Sequence, residues 1–233
     1  MVSSIPQTRP NLTSAAPVVS SIPRVRPTAT KLARERSIET TPNIDTAELI
    51  LAMGQRPKTA ARQCRNDALV GESIRRIPGE LPGCGVKEPV RLTSVHGIQL
   101  SRAAIMDCRT ADAFAIWIDK TVAPEFKKVR RQVEVIDVVA SYDCRTRNNQ
   151  PEAKISEHGK GRAVDVGSFV LDNGQRVSVF VDWNSDAFRN TVRALHKGAC
   201  GPFSTVLGPE ADRFHEDHIH MDTARRNSGS YCR

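Results

Sequence analysis

Two short segments hold four of the chain's six histidines: "SEHGKGRAVDV" (156–166), with His158, and "FHEDHIHMD" (214–222), with His215, His218 and His220. Side chains alternate along a strand, so in the second segment His218, His220 and Asp222 would share one face, with Ile219 and Met221 packed beneath. In the first, His158 precedes a glycine-containing turn. The strand that follows would set Ala163 and Asp165 on one face and Val164 and Val166 on the other. An aspartate inside an apolar strand needs a partner, because an ionised carboxylate buried alone is too costly, and a metal ion or a cation is the usual answer. Zinc chemistry asks for three N or O ligands and a fourth position left to water, whose pKa falls to roughly 7. A nearby base and a cation for the oxyanion would complete a hydrolase. The same spacing also suits histidines satisfied by hydrogen bonds on a partly exposed strand, and spacing alone leaves both readings open.

Periodicity supplies the elements that must position these residues. In "SRAAIMDCRTADAFAIWIDKTVAPEF" (101–126), Ser101 is a candidate N-cap, and Ile105, Cys108, Ala111, Ala115, Ile118 and Val122 recur at three- and four-residue steps. That pattern predicts an amphipathic helix ending at Pro124. "VEVIDVVASY" (133–142) is dense in β-branched residues and predicts a strand. "AVDVGSFVLDNGQRVSVFVDW" (163–183) reads as two apolar runs joined by "DNGQ", a hairpin in which Asn173 and Gly174 suit a type I′ turn. "SDAFRNTVRALHKGAC" (185–200) places Phe188, Val192 and Leu195 on one helical face, and "FSTVLG" and "DHIHMD" read as short strands. The order predicts an α+β fold, a small mostly antiparallel sheet with flanking helices. Trp117 and Trp183 are expected in the core, Trp183 near enough to the hairpin to border a cleft. His96 and His196 lack partners in sequence and are expected at the surface or at a helix end. Glu157 and Lys160 either tune the neighbouring ligands or belong to a solvated turn.

Composition divides the chain. Residues 1–63 contain no aromatic and no cysteine, are rich in Pro, Ser, Thr and Ala, and repeat "SIPQTRP" as "SIPRVRP". Such a segment buries too little apolar surface to offset its ordering entropy, so a disordered arm is expected, with "TAELILAMG" (46–54) at most a short helix. The arm carries nine Lys and Arg against four Asp and Glu, and so supplies five of the chain's formal +8. It is either a solvated spacer or a basic arm that skims an anionic surface. All aromatics and all six cysteines lie in 64–233, the expected folded domain. Cys64, Cys84, Cys108, Cys144, Cys200 and Cys232 form no CxxC pair, so three disulfides in an oxidising compartment are expected, their connectivity undetermined among fifteen pairings. Periodicity and length offer no transmembrane segment. A basic start followed by an apolar run is not evident at the N-terminus, so export would need a removed signal, an earlier start or another route. Phosphate loops and base-stacking aromatics among lysines are lacking, which argues against specific nucleic-acid binding.

Ser156, His158, Gly161, Ala163 and Asp165 match the SxHxxGxAxD signature of the lysostaphin, D-Ala-D-Ala metallopeptidase and sonic hedgehog zinc peptidase superfamily. That resemblance implies zinc held by His158, Asp165 and His220. The HxxHxH spacing of His215, His218 and His220 also resembles the penicillin-insensitive murein endopeptidases and D-Ala-D-Ala carboxypeptidases, in which the two earlier histidines act in catalysis. More closely, "CGVKEPVRLTS", "DWNSDAF", "FSTVLGPEADRFHEDHIHMD" and the terminal "YCR" resemble the bacterial extensin-like C-terminal domain family over essentially all of 64–233. The "SYxCR" segment, Ser141, Tyr142, Cys144 and Arg145, makes Arg145 the candidate clamp for an oxyanion or a substrate carboxylate. Other branches place an acidic base three residues before the last ligand, where Asp217 stands. His218 is preferred here as the base, with Asp217 orienting it or facing solvent.

The resemblance implies a hedgehog/DD-peptidase-like fold and a periplasmic or secreted zinc metallopeptidase acting on peptidoglycan peptide stems or cross-links, of DD-endopeptidase or DD-carboxypeptidase type. His218 would move the proton, while His215 and Arg145 would hold the oxyanion or a neighbouring carboxylate. Two rivals stand beside it. One is a catalytically inactive zinc-containing cell-wall binding module, and the other a disulfide-held structural protein without metal.

Overall fold

A computed structural model describes residues 59–227 and 229–233. The expected arm falls outside the described residues except at its end, as does the short helix expected at 46–54. Thr59–Gln63 belongs to the fold instead of the arm. Helix α1 (Ala60–Cys64) is capped by the Thr59 side chain, buries Ala60 and is tied down by the Cys64–Cys108 disulfide.

The described chain is an α+β fold built on a nine-stranded, mostly antiparallel sheet. Its strands are β1 (Leu69–Ser73), β4 (Val90–Val95), β5 (Ile98–Met106), β6 (Val133–Ala140), β7 (Ala163–Leu171), β8 (Arg176–Ser178), β9 (Thr205–Leu207), β10 (Ile219–Asp222) and β11 (Tyr231–Cys232). A separate two-stranded sheet pairs β2 (Ile77–Pro78) with β3 (Gly85–Val86). The main order is β1-β4-β5-β6-β7-β10-β9-β11, with β8 also on β7. Only β5 with β6 and β9 with β11 run parallel. Strand β7 lies between β6 and β10 and is buried along nearly its whole length.

The sheet reaches further than the elements expected from sequence, because periodicity misassigned the stretch before Asp107. Ser101–Met106 is the end of β5, and the helix starts only after Asp107, whose carboxylate accepts from the Thr110 N–H as the true N-cap. The segment "IQLSRAAIM" alternates well enough to bury Ile98, Leu100, Ala104 and Met106, and pairing with β4 decides the matter. The helix does not stop at Pro124 either. Helix α2 (Cys108–Trp117) runs through a π-helical turn (Ile118–Val122) into α3 (Ala123–Lys128). At that turn the Ala123 N–H reaches Ile118, and Pro124 falls in the first turn of α3, where its missing donor costs little.

The hairpin β7–β8 forms as expected, but its turn differs. Gly174 is in the left-handed region at φ +79 and Asn173 is not, so the loop is not type I′. The second apolar run leaves the sheet after Ser178, which caps helix α4 (Val179–Asp182). Helix α5 (Arg189–Ala199) buries Val192 and Leu195 as the spacing predicts. The Trp117 indole N–H donates to the Leu195 carbonyl at 2.9 Å, joining α2 to α5, and Phe169 of β7 packs against Trp117 and Phe126. Both tryptophans are buried, His96 is exposed in the β4–β5 turn, and His196 packs edge-on to Trp183 near the end of α5.

Val164 and Val166 of β7, Ile219 and Met221 of β10 and Val206 of β9 all enter this core. The opposite face of those strands is therefore left for polar residues.

The six cysteines form Cys64–Cys108, Cys84–Cys144 and Cys200–Cys232. With no free thiol, the domain suits an oxidising, extracytoplasmic compartment. Among the described residues no helix is long and apolar enough to cross a membrane. Titration of the denatured, unreduced protein should therefore detect no thiol. Replacing Cys200 and Cys232 together by Ser should cost about 2–4 kcal/mol in a urea melt.

Candidate metal centre

Register builds the centre. In the antiparallel pair of β7 and β10, His220 lies directly opposite Asp165, and Asp222 opposite Ala163. Opposed side chains on one face are close enough to touch, and the His220 Nδ1 is 2.8 Å from Asp165 Oδ1. His158 arrives from outside the sheet, in a 3-10 turn (His158–Lys160) that ends at Gly161 with φ +66. A Cβ on Gly161 would stand 2.6 Å from a Val86 methyl, and only glycine combines that approach with that backbone. The His158 Nε2 comes within 3.2 Å of Asp165 Oδ2 and 3.1 Å of His220 Nδ1.

The outward nitrogens decide which atoms face one another. The His158 Nδ1–H donates to the Ser141 carbonyl at 2.6 Å, so Nε2 carries the lone pair. The His220 Nε2 faces Asp222 Oδ2 at 3.4 Å, which favours the tautomer with its proton there and a lone pair on Nδ1. In that tautomer two lone pairs and a carboxylate converge at a buried point, which either a shared cation or a proton held between His220 Nδ1 and Asp165 satisfies. His158, Asp165 and His220 are the three side chains among the described residues whose ligand atoms all lie within 4.8 Å of one another. They fit a divalent metal ion.

Without a metal, a proton takes that role. Burial works to raise the Asp165 carboxyl, but His158 and His220 beside it hold it well below the usual carboxylate range. Burial works to lower His220, yet hydrogen bonds and charge from Asp165 and then Asp222 push it up to about 9. Asp222 is lowered despite its burial by His220, the Ala224 N–H and Thr205.

The centre opens into a cavity of about 440 Å³. His215 and His218 line it, as does Arg145. The His218 Nδ1 pairs with Asp217 Oδ1 at 2.7 Å, while its Nε2 lies 3.6 Å from Asp165 Oδ2. Asp217, expected either to orient His218 or to face solvent, pairs with that ring while its side chain stays 74% exposed. The His215 Nδ1 pairs with Asp212 Oδ1 at 2.7 Å; burial lowers His215, and Asp212 offsets only part of that. The Arg145 Nε–H donates to Asp143 at 2.8 Å. His158, Asp165, His220, His215, His218 and Arg145 thus border one cavity, whereas Asp217 does not line it.

Asp212, Asp222 and the Ser141 carbonyl were not assigned roles from sequence. Asp222 shares the alternation of His218 and His220, a signal that was present, but the Ser141 carbonyl is a backbone atom with no signature. Glu157 is buried beside His158, with Lys160 at 2.6 Å and Arg147 and Arg162 at 3.9 Å, so it is no solvated turn residue.

The family model described as "Extensin-like protein C-terminus" matches residues 59–233. No curated protein and no solved structure matches the chain.

Metal entry must displace the proton on His220. Metal affinity should therefore climb about tenfold per pH unit below pH 9 and level off above it, read by competition with a chelator of known affinity. The sign for the metal-free protein is opposite. A group raised above its unfolded value contributes stability fully present below its unfolded pKa and lost as pH rises through about 9. Asp222→Ala should weaken metal binding about 10- to 100-fold by freeing the His220 ring.

Proposed function

This chain belongs to the extensin-like protein C-terminus family, and from that membership and its centre we propose that it is a zinc-dependent peptidase of peptidoglycan. The observation that carries the reading is a division of labour among four histidines at one cavity. His158 and His220 converge with Asp165, while His215 and His218 stay outside that group, each backed by its own carboxylate. Three ligands with further polar groups beside them is the catalytic pattern; a closed site of four is the structural one. Two imidazoles and a carboxylate suit zinc. The peptidoglycan substrate, of DD-endopeptidase or DD-carboxypeptidase type, rests on the likeness of the 156–165 segment to the lysostaphin and D-Ala-D-Ala metallopeptidase group. Three disulfides agree with a periplasmic or secreted setting.

His158, Asp165 and His220 would hold the zinc, which when bound would supply Lewis acidity toward a peptide carbonyl and lower the pKa of water toward neutrality. In the neutral tautomer, His218 gives its Nδ1–H to Asp217 and presents the Nε2 lone pair to the cavity. That nitrogen takes the proton of the attacking water and returns it to the leaving amine. His215 is held the same way by Asp212, and its lowered pKa keeps it neutral, so its Nε2 accepts and does not donate. It therefore suits a substrate N–H better than the oxyanion expected from the resemblance, and the oxyanion falls to Arg145.

His218→Ala should leave zinc bound and lower muropeptide cleavage about a hundredfold or more, with metal content read by elemental analysis and products by mass spectrometry. Asp165→Ala should lose both metal and activity. Loss of zinc together with melting temperature in His218→Ala would mark His218 as a fourth ligand of a closed site, the binding-module outcome. Undiminished cleavage with zinc retained would move the base to another residue.

A further inference from the structure

Arg226 also borders the cavity, and nothing above uses it. Each of the other charged side chains lining that space has an ionic or imidazole partner. Asp165 and Asp222 serve His220, Asp212 serves His215, and Glu157 is ringed by Lys160, Arg147 and Arg162. Arg145 is paired with Asp143. Arg226 differs. Its Nε–H donates to the neutral Thr205 Oγ1 at 3.0 Å and its guanidinium lies 5.1 Å from the centre of the Tyr231 ring; no carboxylate pairs with it among the described residues.

The position is built rather than accidental. Thr205 on β9 lies opposite Asp222 of β10 on one side and opposite Tyr231 of β11 on the other. Thr205 also bonds Asp222, which in turn faces His220. Tyr231 precedes Cys232, whose disulfide to Cys200 fixes β11 against the end of α5. Arg226 is thus joined through Thr205 and Asp222 to a residue of the metal centre, with its terminal nitrogens uncommitted. A guanidinium held at its Nε and set over an aromatic ring keeps its terminal nitrogens as a two-pronged donor surface for a planar anion.

We propose that Arg226 is a specificity-determining residue that binds a carboxylate of the peptide substrate, so that the centre selects peptides with a free carboxylate beside the scissile bond over their amidated forms. The proposal rests on the peptidase reading for the word substrate, but not for the binding of the carboxylate. A charge-assisted contact of this kind is expected to contribute to ground-state and transition-state binding alike, and so to act on KM rather than kcat.

The probes are two synthetic stem peptides, identical except that one carries the free carboxylate and the other its amide. In the zinc-loaded protein, Arg226→Gln should raise KM for the carboxylate peptide about ten- to a hundredfold, leave kcat nearly unchanged, and leave the amide peptide unaffected. Arg226→Lys, which keeps the charge but not the fork, should restore part of the loss. Melting temperature and zinc content should match the wild type. Calorimetric titration into His218→Ala, with and without Arg226→Gln, reads binding apart from turnover. A carboxylate preference there that Arg226→Gln abolishes supports the clamp even if the wild type cleaves neither peptide, an outcome that would sink the peptidase reading alone. Equal binding of both peptides, equal weakening of both by Arg226→Gln, or binding of neither would overturn the clamp, whatever the cleavage assay shows.

Discussion

The register between β7 and β10 is the constraint on which the site depends. It sets His220 opposite Asp165 and, by the same alternation, sends Val164, Val166, Ile219 and Met221 into the core. A slip of β10 by one residue would turn that strand over, burying His220 and Asp222 in the core and moving Ile219 and Met221 to the polar face. The hydrophobic face therefore enforces the polar one. Burial of Asp165 is tolerable because that register also delivers its partner, and the third member, His158, needs only a tight turn and the Ser141 carbonyl to complete the group.

What was legible in the sequence follows from which interactions are local. Strand alternation in "DHIHMD" and "AVDV" is a property of consecutive residues, and it placed Asp165, His220 and the core valines on their correct faces before any partner strand was known. Helix α5 and the β7–β8 hairpin were legible for the same reason. The region 69–106 was not, because its strands are interrupted by exposed residues and owe their assignment to pairing across the sheet. "SRAAIM" satisfies both a period of two and a period near four, so only the neighbour β4 could decide. The turn at Asn173 failed on a finer point, since the residue pair was right for a type I′ turn and the backbone chose another loop. Disulfide connectivity was beyond reach because the first two bridges interlace, a fact of tertiary arrangement alone.

Those bridges sit where the sheet cannot help. Much of the cavity wall lies outside regular secondary structure, in 141–162 before β7 and in the segments flanking β10. Cys84–Cys144 holds the first segment beside Arg145 and against the small sheet of β2 and β3, and Cys200–Cys232 holds the last strand beside Tyr231. An irregular loop gains little from its own backbone hydrogen bonds, and a covalent tie narrows its unfolded alternatives. The core supports the strands, while the bridges support the segments that line the cavity.

Each histidine at the cavity has one ring nitrogen committed outward, and the nature of that commitment separates their roles. His158 gives its Nδ1–H to a backbone carbonyl, which fixes orientation but adds no charge. His220 faces a buried carboxylate, which raises the basicity of its inner nitrogen. Asp165 within the group and Asp222 behind His220 together supply two negative charges against a divalent ion. His215 and His218 lean on Asp212 and Asp217, two carboxylates nearer solvent. On the proposed reading, an exposed carboxylate behind His218 suits a group that must take up and return a proton. The four histidines thus differ less by residue type than by what partners each imidazole: a backbone carbonyl for His158, a buried carboxylate for His220, and carboxylates nearer solvent for His215 and His218.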